Sequence, residues 1–136
     1  MASTRVLLLY PNERGMSTVP PSIALFSQLL KDAGHYTALF DTTFYRFDDE
    51  IALDDPDLKK TKSLNFRPVR DVDDDDLHFK KTTRSAIDDF RSSIESFGPD
   101  LIAVSCTETT FLRGLKLIKE TRDMGVRNIF GGVFPT

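Results

Sequence analysis

The run Val6-Leu7-Leu8-Leu9-Tyr10 constrains this chain more than any other feature. An unbroken apolar run of this length is what a strand buried on both faces needs, whereas a strand with one wet face alternates. The run closes on Pro11-Asn12, and a loop containing Gly15 leads to Pro20 and Pro21. Prolines suit a helix's first turn, where an amide would have no partner anyway. Ile23, Phe26, Leu30 and Ala33 then share one helical face, with Leu29 beside them, and Gly34 supplies the stop. Residues 37–40 read as a second strand ending at Asp41.

The alternation then repeats. Ile87, Phe90, Ile94 and Phe97 keep a three-four spacing until Gly98-Pro99. Residues 101–104 form another buried strand, closing on Ser105. A further helix starts near Thr109 or Thr110, runs through Phe111, Leu115 and Ile118, and stops at Gly125. Residues 128–130 are the last strand, followed by Gly131-Gly132. Strands alternating with helices predict a parallel sheet with right-handed crossovers. The expected class is α/β, a doubly wound, flavodoxin-like (Rossmann-like) sheet with four strands visible.

Two features depart from that plan. Residues 42–83 are far longer than the roughly 2–6 residues usual between a strand and a helix. This insertion is acidic: residues 41–83 hold twelve Asp/Glu against eight Lys/Arg. It also carries Phe44, Phe47, Ile51, Leu64, Phe66 and Phe79, so it is expected to order with short elements of its own. The second departure is the close at Pro135-Thr136, with no helix after the last strand. The expectation is a piece of a longer protein, cut before a fifth strand, that self-associates through residues 126–134 or covers them with the insertion.

Composition limits the function classes. A chain of 136 residues, 40% hydrophobic and 29% charged, has enough material for one core. A net charge of −3 argues against nucleic-acid or anionic-membrane binding, either of which needs a basic stripe. The opening apolar run is too short for a secretory segment or a membrane span. A single cysteine, Cys106, excludes an internal disulfide and a multi-cysteine metal site within this chain. A cytoplasmic domain is therefore expected.

In open parallel sheets, ligands sit at the carboxyl ends of the strands. That rule selects residues 11–19, 41–44, 105–110 and 131–136. Ser105, Thr107, Thr109 and Thr110 offer hydroxyls, and paired glycines let a bulky ligand reach the backbone. Such a surface suits a large neutral or amide-rich ligand and lacks a hydrolase's equipment. The plainer reading is that the hydroxyls cap the next helix and the glycines make a tight turn. Cys106 reads as a buried filler, and His35 as a solvent-facing residue past a helix end. His78, within the insertion, is a weak metal or cobalt candidate. Asp73-Asp74-Asp75-Asp76 reads as a solvated loop, because adjacent carboxylates without a calcium loop's spacing repel one another.

Several segments resemble the cobalamin-binding N-terminal domain of radical S-adenosylmethionine enzymes. Val6-Leu7-Leu8-Leu9-Tyr10-Pro11-Asn12 and Leu29-Leu30-Lys31-Asp32-Ala33-Gly34-His35 are similar to that domain's opening. Phe97-Gly98-Pro99-Asp100-Leu101-Ile102-Ala103-Val104-Ser105 looks like its third strand. Phe130-Gly131-Gly132-Val133-Phe134-Pro135-Thr136 looks like its fourth strand and glycine turn. The resemblance covers both flanks and not the insertion. It implies cobalamin as cofactor, with Pro11, Asn12, Ser105, Thr107, Thr109, Gly131, Gly132 and Val133 as contacts. Thr107 stands where the family's Ser-x-Leu pattern has leucine. The superfamily's Asp-x-His-x-x-Gly loop has no counterpart in Asn12-Glu13-Arg14-Gly15-Met16, so the resemblance implies base-off cobalamin without an axial histidine. The Cys-x-x-x-Cys-x-x-Cys triplet is absent too. S-adenosylmethionine and a 4Fe-4S cluster would therefore belong to a downstream radical domain of the same parent, a methyltransferase or cyclase-like enzyme. A ligand-sensing or protein-docking module on the same fold, without cobalamin, stays open as the alternative.

Overall fold

The computed structural model describes residues 3–12, 20–47 and 82–132. The chain divides into two compact units, Met1–Thr43 with Ser85–Thr136, and Phe44–Arg84. In the second unit the described residues include a buried Phe47, and the Thr82 amide donates to the Phe44 carbonyl at 3.0 Å. The expected elements of the insertion, with His78 and the Asp73–Asp76 run, lie outside the described residues, as does Val133.

The first unit is built on one parallel sheet. Its elements in chain order are β1 (Arg5–Tyr10), α1 (Pro21–Asp32), β2 (Tyr36–Asp41), α2 (Ala86–Phe97), β3 (Leu101–Cys106), α3 (Phe111–Glu120) and β4 (Arg127–Gly132). A 3₁₀ turn, Arg122–Met124, joins α3 to β4. The four strands lie in the order β2-β1-β3-β4, all parallel. This is an α/β fold of the flavodoxin-like type, with the chain reversing direction across the sheet between β1 and β3.

The apolar run explains the middle of the sheet. Val6, Leu7, Leu8 and Leu9 are all buried, because β1 is paired on both edges and covered on both faces. Alternation divides its side chains between the faces. Val6, Leu8 and Tyr10 join Ile23 and Leu30 of α1 and Ala103 of β3. Leu7 and Leu9 point the other way, toward the side where Phe40 of β2 meets Phe90 of α2 with ring centroids 5.0 Å apart. α1 therefore covers one face, and α2 and α3 cover the other.

Local chemistry sets the helix ends. Pro21 opens α1 after an extended Pro20. The Ser85 hydroxyl caps α2 by accepting from the Asp88 amide, and Gly98 closes that helix in the left-handed region at φ 58°. At the amino end of the sheet, Arg5 donates through Nε to the Phe97 carbonyl at 2.6 Å and lies over the Phe97 ring. His35 is half-buried there and accepts through Nδ1 from the Thr4 amide, so it is part of this latch rather than a solvent-facing residue. Arg91 of α2 forks onto Asp123 and also donates to the Glu120 carbonyl, tying α2 to the end of α3. That bond holds the Asp123 carboxyl below its usual range.

Two helix faces turn differently from their spacing. In α1, Ile23 is buried, but Phe26 remains 59% exposed and Leu29 54%. In α3 the buried residues are Arg113, Gly114 and Leu117, while Phe111, Leu115 and Ile118 are half-buried at the margins. Gly114 causes that rotation. A Cβ there would lie 3.0 Å from Val104 and 3.2 Å from the Pro11 ring, so the helix approaches the sheet along its smallest residue.

Among the described residues Phe90 is the largest fully buried side chain. Its truncation in Phe90→Ala is expected to cost about 3–5 kcal/mol, a large part of a small domain's stability. Urea unfolding followed by far-UV circular dichroism measures this as a lower midpoint at unchanged slope.

Candidate functional site

The carboxyl ends of the strands carry two distinct groups of residues, one on each face. On the α2–α3 side the centre is Asn12, which is 1% exposed. Its carbonyl accepts from Arg113 Nη1 at 2.6 Å and from the Thr42 hydroxyl at 3.0 Å. Its amide side chain donates to Thr43 Oγ1 at 2.8 Å, and its backbone amide donates to the Tyr10 carbonyl. Thr43 in turn donates to Asp41 Oδ1 from its backbone amide and from its hydroxyl. The loops after β1 and β2 and the first turn of α3 are thus one hydrogen-bonded block. Arg113 (4% exposed) and Thr42 (0%) are inside it. Pro11 is fully buried beside them. Pro11 and Asn12, expected as ligand contacts, spend their surface on this block.

On the α1 side the final residues of the strands form a row. The parallel register places Asp41 beside Tyr10, and Ser105 beside Gly131. These four residues share the face of Leu8, Ala103 and Ile129, by strand alternation. Tyr10 is half-buried, and its phenol is pushed above the usual range, chiefly by burial and secondarily by the negative Asp41. It stays a neutral donor at physiological pH. The Ser105 hydroxyl engages no partner among the described residues.

The loop after β3 is a self-contained turn. The Thr107 amide donates to Thr110 Oγ1 at 3.0 Å, and the Thr110 amide donates back to the Thr107 carbonyl. Thr107 and Thr109 hydroxyls lie 3.1 Å apart. Thr107 and Thr109 are exposed, whereas Thr110 is buried. No side chain caps α3, so the plain reading of these hydroxyls as helix caps does not hold for this helix.

Gly131 and Gly132 are not a turn; both continue β4. They serve different purposes. Gly132 has φ 121°, and a Cβ on it would lie 2.0 Å from the Cys106 carbonyl oxygen, so only glycine fits. A Cβ on Gly131 would meet nothing within 4 Å. Cys106 is 3% exposed, directs Sγ toward the Gly131 carbonyl, and has its thiol pushed up by burial. Among the described residues there is no group of three or more His, Cys, Asp or Glu placed to hold a metal ion. No helix among them is long and apolar enough to cross a membrane.

A cavity of about 200 Å³ lies at the other end of the sheet, between α3 and the start of β4, lined by Ile102, Ile118, Lys119, Thr121, Arg122, Val126 and Asn128. Its polar lining comes from exposed Lys119, Arg122 and Asn128, and the Thr121 hydroxyl is engaged by the Leu117 carbonyl of α3. The carboxyl-end row is the better site on chemistry, although it is a shallow surface.

The sequence pattern pointed to Ser105, Thr107, Thr109, Gly131 and Gly132, and the fold brings these to one end of β3 and β4. It did not single out Arg113 or Tyr10, and it reached Asp41 and Thr42 only as part of the loop 41–44. A signal existed for Arg113: it falls on the stripe Thr110, Gly114, Leu117, Thr121, whose three-four spacing marks the face of α3 against the sheet. Comparison with protein-family models, with curated proteins and with solved structures finds no match to this chain.

The two glycines separate in stability. Gly132→Ala is expected to lose roughly 2–3 kcal/mol through strain and displacement of the β3 carbonyl, and Gly131→Ala to stay within about 0.5 kcal/mol of the parent. Denaturant midpoints read the difference. Cys106 gives a pH test. Its folded pKa lies above the unfolded one, so this linkage favours the fold below the thiol's ordinary range and is lost as pH rises through it. Labelling by a disulfide reagent at pH 8 is expected to be far slower in the native protein than in urea, since the thiol is 3% exposed and its burial disfavours the nucleophilic thiolate.

Proposed function

We propose that this chain is a cobalamin-binding domain of a radical S-adenosylmethionine enzyme, as the resemblance of its flanks implies. The observation that carries the reading is the pairing of Ser105 with Gly131 on an open face at the carboxyl end of β3 and β4. A corrinoid presents amide arms around its ring and a long nucleotide tail that carries one phosphodiester charge. It requires hydroxyl donors and a backbone with no side chain in the way. Ser105, Thr107 and Thr109 supply the donors, and Gly131 supplies the open backbone. The neutral Tyr10 phenol adds a donor in the same row.

The donor set fits the tail and not the metal. No histidine among the described residues lies at this end of the sheet, since His35 is in the amino-end latch. The reading is therefore of cobalamin held through its periphery. When bound, cobalamin supplies the cobalt centre for methyl transfer or radical rearrangement. The chain's own part is to grip the tail and fix the ring's orientation. The buried block around Asn12 and Arg113 makes that platform rigid before a ligand arrives. Cluster chemistry and S-adenosylmethionine belong, in this reading, to a companion domain with the cysteine triplet.

Titration with hydroxocobalamin, followed in the visible spectrum, tests the reading. Saturable binding is expected, weakened at least tenfold in Gly131→Val, whose added side chain enters open space and leaves the unfolding midpoint nearly unchanged. A spectrum insensitive to protein at millimolar cobalamin removes the cofactor from the proposal.

A further inference from the structure

We propose that His35 is a proton-operated latch: neutral, it holds the start of β1 to the edge of β2, and protonated, it releases Ser3 and Thr4. The latch lies at the opposite end of the sheet from the proposed cofactor surface and stands without it. Helix α1 stops on Gly34, at φ 83°. The Gly34 amide donates to the Lys31 carbonyl and the His35 amide to the Leu30 carbonyl, both at 2.9 Å. This paired closure fixes the backbone of the residue after the glycine. The half-buried His35 imidazole is thereby delivered to the Thr4 amide, which donates to Nδ1 at 3.2 Å.

Its place in the ladder sets this contact apart. Thr4 turns both backbone groups toward β2: its carbonyl accepts from the Tyr36 amide at 2.9 Å, and its amide goes to His35. Arg5 turns both toward β3: its carbonyl accepts from the Asp100 amide at 2.8 Å, and its amide goes to Asp100 Oδ2 at 2.7 Å. A strand ladder is otherwise built from carbonyl acceptors. Here the first rung on each edge of β1 ends on a side chain that can take up a proton. A carbonyl accepts at any pH. An imidazole nitrogen accepts only while it carries no proton, and in the imidazolium both ring nitrogens are donors. One donor would then face another at Thr4. Imidazoles change charge between about pH 5 and 8, whereas carboxyl groups do so near roughly 4. The two rungs therefore open in different ranges, the His35 rung first.

No neighbour compensates. The charged and titratable groups on the elements that meet here are Lys31 and Asp32 at the end of α1, Arg5 of β1, Tyr36 of β2 and Asp100 ahead of β3. Asp32 accepts from Gln28 of its own helix, and Asp100 holds the Arg5 amide. Arg5 donates to the Phe97 carbonyl and lies over the Phe97 and Tyr36 rings. Among the described residues neither carboxylate is ion-paired with His35. The imidazolium gains no partner in exchange for the lost bond. Closure is complete where the imidazole is neutral and is lost as pH falls through the ordinary imidazole range. Arg5 stays tied to Asp100, so the opening ends at Thr4 and the sheet persists.

Amide exchange of the full chain by NMR tests the proposal at about pH 7.5 and about pH 5.0, either side of that range. Rates are read as protection factors, so that the intrinsic pH dependence of exchange divides out. The Thr4 factor is expected to fall about fivefold in acid, the worth of one net hydrogen bond, while Arg5 changes by less than about twofold. Its midpoint is expected to match that of the His35 Nδ1 nitrogen shift. In His35→Asn, the amide oxygen takes the place of Nδ1 and accepts at any pH, so Thr4 is expected to be held equally at both. A Thr4 factor that does not move overturns the proposal, as does one that moves in His35→Asn as in the parent, where His78 is still present. A parallel loss at Arg5 also overturns it, because that marks general loosening in acid. Should the variant not fold, a Thr4 midpoint that departs from the His35 Nδ1 midpoint overturns it in the parent alone.

Discussion

Everything in the first unit hangs from β1. It pairs with both β2 and β3, and its two faces are the floors of two separate cores. Its alternation decides which helix goes where: Val6 and Leu8 commit one face to α1, and Leu7 and Leu9 commit the other to α2. A one-residue slip of β1 against β2 or β3 would exchange these sets and leave both helices facing the wrong neighbours. Four consecutive apolar residues remove the polar side that would otherwise fix the register. Register is instead pinned at the ends: Arg5 and Asp100 at one end, where the Arg5 amide donates to Asp100 Oδ2 at 2.7 Å, and Asn12 at the other.

The Asn12 block shows how a buried charge can be used to position loops. Burying a guanidinium costs several kcal/mol unless its donors are engaged. Arg113 spends one of them on a carbonyl 101 residues away in sequence, in the loop after β1. Thr42 brings the loop after β2 to the same carbonyl. Two loops that would otherwise fluctuate independently are thereby fixed, with the first turn of α3, to one acceptor. Ligand-binding loops pay an ordering cost on binding, and a block ordered in advance removes part of it. The exposed hydroxyls of Thr107 and Thr109 sit at the edge of this block, on a turn braced by Thr110.

How much of this could be read from the sequence depended on whether one residue type carried one meaning. The strands could be read, because runs of Leu, Ile and Val between glycines and prolines admit few alternatives, and the parallel order follows from the helices between them. Helix faces were less legible. Phe26 and Leu29 obey the spacing of a buried stripe yet lie in the open, because periodicity reports that a face is apolar and not what covers it. Arg113 was illegible for the opposite reason: a charged residue is mostly exposed, and only the small residue beside it, Gly114, lets α3 sink far enough to bury it. Asn12 looked like a loop residue available to a ligand, and its burial depends on partners 30 to 101 residues away that no local pattern shows.

The glycine pair carries the same lesson to the site itself. In sequence, Gly131 and Gly132 are one feature; in the fold they answer to different constraints. Gly132 is required by the Cys106 carbonyl, whatever the protein binds, so its presence says nothing of function. Gly131 has no such duty. Its position in the strand is ordinary, its missing side chain opens space rather than relieving a clash, and glycine in a strand weakens it. A residue that costs stability and solves no packing problem needs another reason to be there. Ser105, its register partner, is in the same position, with a hydroxyl that no described neighbour uses. At the carboxyl end these two lie side by side with their chemistry unspent by any described neighbour, in the row that also holds the Tyr10 phenol.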